Sequence, residues 1–557
     1  MSMRVPPELL LKIFSEIQKA HFWTGTETVP SCWAVSQVCR QWRMVALESS
    51  RLWACIPLES PLWAKACLSR SRSSCLEVTA SRITPEDDAQ LESLALIYPE
   101  LPRVSSLEFC TDAGYPNFDE MLREVLTGLS LHPAPKLREL RFNIMDNVDI
   151  NRAPISLPQY LFASQKLTSL ELASFFGCEL SLSWSKTLLP PTLRSLTLHQ
   201  TLAWKDIDEM VLFFGLVSNL EILHLYTITS NTHFSTSSAY PYRAATLPRL
   251  KRLNVSTRYL EVITILAYLA MPPTTSLTIR IMEYDWDLMD REEAELAAAI
   301  SLGTRAFRDH FAPVVAAGHG YTHFTITTMD IQIPCMIPCE LHDNHAAYDP
   351  RAYVPAELAP VSCSFGIPMD EPHLVRPAYA MLLEQPILET ATTICVHGNL
   401  PLEAWLCFER WSAVETLELS DFRDDMALSG FAAAIHRQGF RLFKALRHLW
   451  ISDCVVVEAE PDSAALPGES IEGEGLTGTD AREFIAAARC LADYEHFEQL
   501  TLVRCIVSTQ ALQTVKEILG EKRVDGDVRS PEREIQERED YRNERDRLWF
   551  AGSGDNR

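Results

Sequence analysis

Beyond about residue 60 one short pattern recurs: an apolar residue, two variable positions, an apolar residue, one variable position, an apolar residue. It reads Val104/Leu107/Phe109, Leu137/Leu140/Phe142, Leu167/Leu170/Leu172, Leu193/Leu196/Leu198, Leu220/Leu223/Leu225 and Leu250/Leu253/Val255. It returns at Val414/Leu417/Leu419, Leu446/Leu449/Ile451 and Phe497/Leu500/Leu502, with weaker copies at Leu76/Val78, Leu277/Ile279, Phe324/Ile326 and Ile394/Val396. Alternating apolar positions at the end of each unit predict a short strand with one buried face. The central positions 107, 140, 170, 196, 223 and 253 step by 33, 30, 26, 27 and 30 residues. A period in this range means one supersecondary unit that buries its apolar face by stacking on the next copy. Apolar stretches at 206–217 and 292–300 can supply the helix of a unit. Prolines before several strands, such as Pro102, Pro190 and Pro248, suit a helix end or an entry turn.

This pattern looks like a leucine-rich-repeat array of the irregular kind. The asparagine that many such repeats carry after the strand is mostly missing, so the resemblance is architectural. It implies an α/β solenoid of parallel strands with helices or loops between them, spanning 104–520 and preceded by a connecting segment and first repeat at 59–103. Two breaks read as insertions: one near 330–390, bearing Pro, His and Cys, and one near 455–479, acidic and Gly-rich. A capping helix is predicted after Ser508, with Leu512, Val515, Ile518 and Leu519 on its apolar face and Gly520 as its stop. From Glu521 to 557 mixed charge is dense, which predicts a solvated helix or a disordered tail, with Trp549 and Phe550 near its end.

The first 58 residues differ. Helical spacing over 7–17 places Leu9, Leu10, Ile13, Phe14 and Ile17 in a broad apolar stripe, with Pro6 and Pro7 suited to the first turn. A second helix is expected over 33–47, with Val35, Val38, Cys39, Trp42, Val45 and Ala46 inside, and Leu52, Trp53 and Ile56 close the unit. Three short helices carrying this many large apolar groups leave a patch exposed, which points to a protein partner.

These anchors resemble the F-box: Val5-Pro6-Pro7-Glu8-Leu9-Leu10, then Ile13-Phe14, then Val38-Cys39-Arg40-Gln41-Trp42-Arg43, then Leu52-Trp53. Val5 stands where the motif has leucine, and the connection at 18–30 is longer than usual. The whole resembles a fungal-type F-box protein with a leucine-rich-repeat-like C-terminal array. The resemblance implies a non-enzymatic receptor: the F-box would bind the Skp-type adaptor of a cullin–RING ubiquitin ligase, and the repeats would hold a protein substrate. Pro6, Leu9, Leu10, Ile13, Phe14, Val38, Trp42, Leu52 and Trp53 are the implied adaptor-contacting or supporting residues. A non-degradative scaffold using the same surfaces is the alternative, and the bland reading is an ordinary helical cap on the array.

If the array reading holds, alternation turns Glu139, Arg141, Asn143, Glu171, Thr197, His199, His224, Tyr226, Arg252, Asn254, Glu418, His448 and Trp450 away from the core. Arg141, His224, Tyr226, Arg252 and Trp450 are the candidate substrate contacts, because Arg, Tyr and Trp are enriched at interface hot spots.

Charge narrows the function classes. The 557 residues carry 50 Lys and Arg against 74 Asp and Glu, a net −24, which argues against a nucleic-acid or anionic-membrane binder. Fifteen cysteines without repeated spacing read as reduced, mostly buried thiols. No signal peptide is expected, and the longest apolar run, 262–271, is far short of a bilayer span of about 20 residues. A cytoplasmic or nuclear protein is expected.

Three other constellations invite chemistry. Cys335, Cys339, His342 and His345 are Zn-type ligands, but too compressed for a zinc finger. Gly473, Gly475 and Gly478 spell a dinucleotide-like GxGxxG with no strand directly before it and Glu472 and Glu474 beside it. His310, His319 and His323 have no nucleophile or orienting group at a recognisable spacing. No metal, cofactor or catalytic residue is therefore expected.

Overall fold

The computed structural model describes residues 5–22, 31–145, 154–226, 237, 239–281, 293–321, 323–327, 361–364, 372–398, 400–420, 427–438, 442–457 and 479–530. The fold is mixed α/β with parallel sheets behind an N-terminal helical segment. It divides into two compact units, Met1–Thr257 with Tyr268–Thr275, and Arg258–Ala267 with Ser276–Arg557.

In the first unit helices α1 (Pro7–Phe22), α2 (Ser31–Ser36) and α3 (Arg40–Glu48) are followed by a 3-10 turn at Ser50–Trp53 and by α4 (Pro61–Ser71). Eight strands then run parallel in sequence order. They are β1 (Cys55–Ile56), β2 (Leu76–Ile83), β3 (Val104–Asp112), β4 (Glu139–Met145), β5 (Leu172–Phe176), β6 (Ser195–His199), β7 (Ile222–Tyr226) and β8 (Arg252–Thr257). The register stacks Val78, Leu107, Leu140, Ala173, Leu196, Leu223 and Leu253 in one row. It stacks Phe109, Phe142, Phe175, Leu198, Leu225 and Val255 in the next. All are buried. A branched or aromatic side chain buried at each rung contributes about 1.5–3 kcal/mol, so the two rows are the main adhesive of the unit.

The register corrects one unit of the sequence pattern. Ala173 pairs with Leu140 and Leu196, so the unit there is Leu170/Ala173/Phe175, and Leu167/Leu170/Leu172 lies three residues out of step. Alanine is small enough to escape a search for large apolar residues, while Leu172, which attracted it, is half-exposed. The helices between strands include α5 (Asp88–Ile97), α6 (Phe118–Leu129), α7 (Leu182–Leu188) and α8 (Ile207–Leu216). The side chains of Asp87, Ser181 and Asp206 cap three of them.

The second unit holds α9 (Tyr259–Tyr268, all but its last residue), α10 (Glu293–Ala316), α11 (Pro372–Leu383), α12 (Leu402–Trp405), α13 (Ala427–Gln438), α14 (Ala481–Ala492) and α15 (Thr509–Leu519). Its strands are β9 (Ser276–Ile281), β10 (His323–Thr327), β11 (Val361–Ser364), β12 (Thr393–His397), β13 (Thr416–Ser420), β14 (His448–Ser452), β15 (Val455–Val457), β16 (Thr479–Asp480), β17 (Gln499–Val507) and β18 (Val524–Arg529). β10, β12, β13, β14, β17 and β18 pair in parallel, with Phe324, Ile394, Leu417, Leu449, Leu500 and Val524 in register. The indole of Trp411 donates to the Leu383 carbonyl at 2.8 Å and packs 4.9 Å from the ring of Phe408, fixing the helical layer.

The segment expected as an irregular insertion is not wholly irregular. β11 pairs in parallel with β9 and touches β10 at Ser364–Thr327, and α11 follows it. The capping helix forms as α15: Ser508 Oγ accepts from the Ala511 N–H at 3.1 Å, and Gly520 ends the helix at φ +92°. The charged stretch after it opens with a single 3-10 turn, Glu521–Arg523, and then leaves the expected helix or tail. Val524–Arg529 is a strand on the outer side of β17, where Val524 covers the Leu500 rung and charged neighbours point to water. Residues 531–557, and with them Trp549 and Phe550, lie outside the described residues. No helix among the described residues is long and apolar enough to cross a membrane.

Candidate adaptor interface

α1 is two-sided. Leu10 and Phe14 are each 1% exposed, whereas Leu9 and Ile13, one position earlier in each turn, are 54% and 43% exposed. Pro6 is exposed at the helix start, where its carbonyl accepts from the N–H groups of Leu9 and Leu10 at 3.1 Å. Val5, Leu9 and Ile13 therefore form one exposed row at four-residue spacing. Gln41 Nε2 donates to the Val5 carbonyl at 3.0 Å, which brings the start of that row against α3.

The single helix expected over 33–47 is broken at 37–39. The Cys39 Sγ caps α3 by accepting from the Trp42 N–H at 3.4 Å. The turn is held from the far side by Arg43, whose Nε donates to the Ser36 carbonyl at 3.0 Å and whose Nη2 donates to Gln37 Oε1 at 2.8 Å. Held this way, Val38 is 60% exposed, not inside the helix as its spacing suggested.

The remaining anchors face inward. The Phe14 and Trp42 rings lie 4.9 Å apart, with Trp42 half-buried. Leu52 and Trp53 are buried, the Trp53 indole donates to the Ala46 carbonyl at 2.8 Å, and the Arg70 guanidinium lies 4.2 Å over the Trp53 ring. Gln18 Nε2 donates to the Leu52 carbonyl at 3.1 Å. Cys32 and Cys67 are both buried, and the neighbouring Cys32 thiol together with burial pushes the Cys67 thiol up. The nine sequence candidates thus split. Pro6, Leu9, Ile13 and Val38 are surface, Leu10, Phe14, Leu52 and Trp53 are core, and Trp42 bridges the two. Sequence reading missed Met44 and Leu47, exposed on α3 opposite buried Val45 and Ala46. A helical wheel over 40–48 would have separated them.

The substrate candidates are not one cluster. In the first unit Arg141 is engaged by Glu139, with Nε 2.9 Å from Oε1. His224 stands three strands away in the same row, about 14 Å at ordinary strand spacing. His224 and Tyr226 stack at 6.0 Å, Asn254 Nδ2 donates to the Tyr226 hydroxyl at 2.8 Å, and the His199 ring lies 5.6 Å from Tyr226 and 4.3 Å from Phe176. Burial holds both imidazoles below their usual range, with Arg252 adding to the effect at His224. Phe176 went unread for the same reason that the 170 unit was out of step. Arg252 is exposed at the start of β8, and Trp450 is exposed in the second unit.

Cys335, Cys339, His342, His345 and the 473–478 glycines lie outside the described residues. His310 packs its ring 4.7 Å from Phe311 in the core of α10. No group of three or more metal-ligating side chains gathers among the described residues.

No curated protein matches the chain. A family model described as F-box-like matches residues 3–59, so the segment that carries all nine adaptor candidates is an F-box-like domain.

Proposed function

We propose that the chain is a non-catalytic bridging subunit. Its F-box-like domain docks the Skp-type adaptor of a cullin–RING ubiquitin ligase, and the strand faces behind it, built as leucine-rich-repeat-like arrays, hold a target protein. The observation that carries this reading is the division of the F-box anchors. Leu10, Phe14, Leu52 and Trp53 are consumed by the core, while Leu9, Ile13 and Val38 remain large, apolar and uncovered. Exposed apolar groups set on a well-packed support are the anatomy of a docking surface. Its contribution to ubiquitin transfer is proximity, since the ligase carries the chemistry.

The test is co-purification with a Skp-type adaptor. Leu9→Glu, Ile13→Glu and Val38→Glu each place a charge in the interface without touching the core, and each is expected to abolish capture while leaving the melting temperature within a degree or two. Undiminished capture by all three variants overturns the assignment. Ligase-dependent turnover of captured targets distinguishes a degradative receptor from a scaffold.

A further inference from the structure

Four strands of the second unit present one outward row in register: Glu418 on β13, Trp450 on β14, Thr501 on β17 and Asp525 on β18. The next row places Asp527 on the same face, opposite Val503. Trp450 is 44% exposed in the middle of this row. Its cross-strand neighbour Glu418 is turned toward β12, where its Oε2 accepts from the Cys395 thiol at 3.2 Å. Along the strand, His448 leans toward Glu498, 3.8 Å away, and Ser452 is small. No aromatic ring or cation among the described residues lies against the Trp450 indole.

Carboxylates outnumber cations on this face. None of the outward positions on β12, β13, β14 and β17 up to Val503 is Lys or Arg, and β18 adds Asp525 and Asp527 before its one outward cation, Arg529, at the strand end. The nearby Arg504 is locked to the Asp453 carboxylate by two hydrogen bonds of 2.7 and 2.6 Å. An uncovered indole is the strongest cation–π acceptor among side chains, and carboxylates on both sides of it raise the local preference for a cation. A phosphate backbone or anionic lipid would be repelled, and a purely apolar partner would strip water from Asp525 and Asp527 without replacing it.

We propose that this face binds a lysine- or arginine-bearing segment of a partner protein, with a cationic side chain seated on Trp450 and the carboxylates of Glu418, Asp525 and Asp527 flanking it. The inference rests on the bridging reading above in taking this face to be target-directed, and it supplies the chemistry of the target. The net charge of −24 would draw such a segment in from a distance.

Fluorescence anisotropy on the full chain tests it, with a labelled peptide of repeated Arg-Gly-Ser as probe and its Glu-Gly-Ser counterpart as control. The arginine peptide is expected to bind and the glutamate peptide not. Trp450→Ala should weaken binding about tenfold, while Trp450→Tyr, which keeps a ring face, retains most of it. Asp525→Asn with Asp527→Asn should weaken it less and flatten its salt dependence. All three positions are exposed, and circular dichroism verifies that each variant is folded. Absence of binding by the arginine peptide, equal binding to wild type and Trp450→Ala, or equal binding of the glutamate peptide overturns the proposal. Adaptor capture by the same preparations keeps the two readings apart: lost peptide binding with intact capture sinks this surface alone, and intact peptide binding with no capture sinks the bridging reading alone.

Discussion

The rings of Phe14 and Trp42 meet 4.9 Å apart at a 58° tilt, joining α1 to α3 from inside the F-box-like domain. Both belong to the family pattern, yet Phe14 contributes from the core. Phe14→Ala should therefore cost about 3–5 kcal/mol as a core truncation and lose adaptor capture through a lowered melting temperature. Ile13→Glu, one residue earlier, should lose capture with the melting curve unmoved. Thermal melts followed by circular dichroism separate the two, and a Phe14→Ala protein that melts like wild type would contradict its placement in the core.

That pair also shows what the sequence could convey. Helical spacing puts Leu9, Leu10, Ile13, Phe14 and Ile17 in one broad stripe, because residues three and four apart always share a side. Which half of the stripe is covered depends on where α3 lies, and that depends on a break at 37–39 held by Cys39 and Arg43 with no Gly or Pro to announce it. The strands were more legible. Leu196/Leu198 and Leu223/Leu225 alternate strongly, and parallel pairing needs only that alternation repeated. The strand at Val524–Arg529 was hidden because an edge strand needs few apolar residues, and here Val524 and Val528 are its only two.

The imidazoles of His199 and His224 give the first unit an acid-side weakness. Burial depresses both in the folded chain, and the Nδ1 of His199 is enclosed without a hydrogen-bond partner among the described residues. As pH falls, the unfolded chain takes up these protons before the folded one does. The stability they permit is thus fully present above about pH 6.5 and declines as pH drops below it toward the folded values. His199→Phe with His224→Gln should flatten the fall in melting temperature between about pH 7.5 and pH 5.5. An unchanged slope would show that these rings are solvated.

Thiol chemistry should sort by environment. Cys39 and Cys75 are exposed, while burial pushes the Cys407 thiol up to about 12 and raises the fully buried Cys178 as well. At pH 8 a thiol with a pKa of 12 is thiolate in roughly one molecule in ten thousand. Alkylation of the native chain, read by peptide mass spectrometry, should modify Cys39 and Cys75 first. Cys178 and Cys407 should react only after denaturation, and early labelling of either would refute their enclosure.

Two glycines offer opposite outcomes for the same substitution. Gly177 follows β5 at φ +66°, donates its N–H to the His199 carbonyl at 3.0 Å, and leaves a Cβ no room against the Ile144 carbonyl oxygen. A left-handed backbone and a main-chain clash act together there, so Gly177→Ala should destabilise by about 1–3 kcal/mol or more. Gly215 lies in α8 with helical backbone and nothing within 4 Å of where its Cβ would stand. Alanine removes unfolded-state freedom at that site without a collision, so Gly215→Ala should stabilise by about 0.5–1 kcal/mol. In urea titrations a Gly177→Ala midpoint at or above wild type would mean that the turn after β5 is not held as described, and a lowered Gly215→Ala midpoint would mean that the space beside α8 is not open.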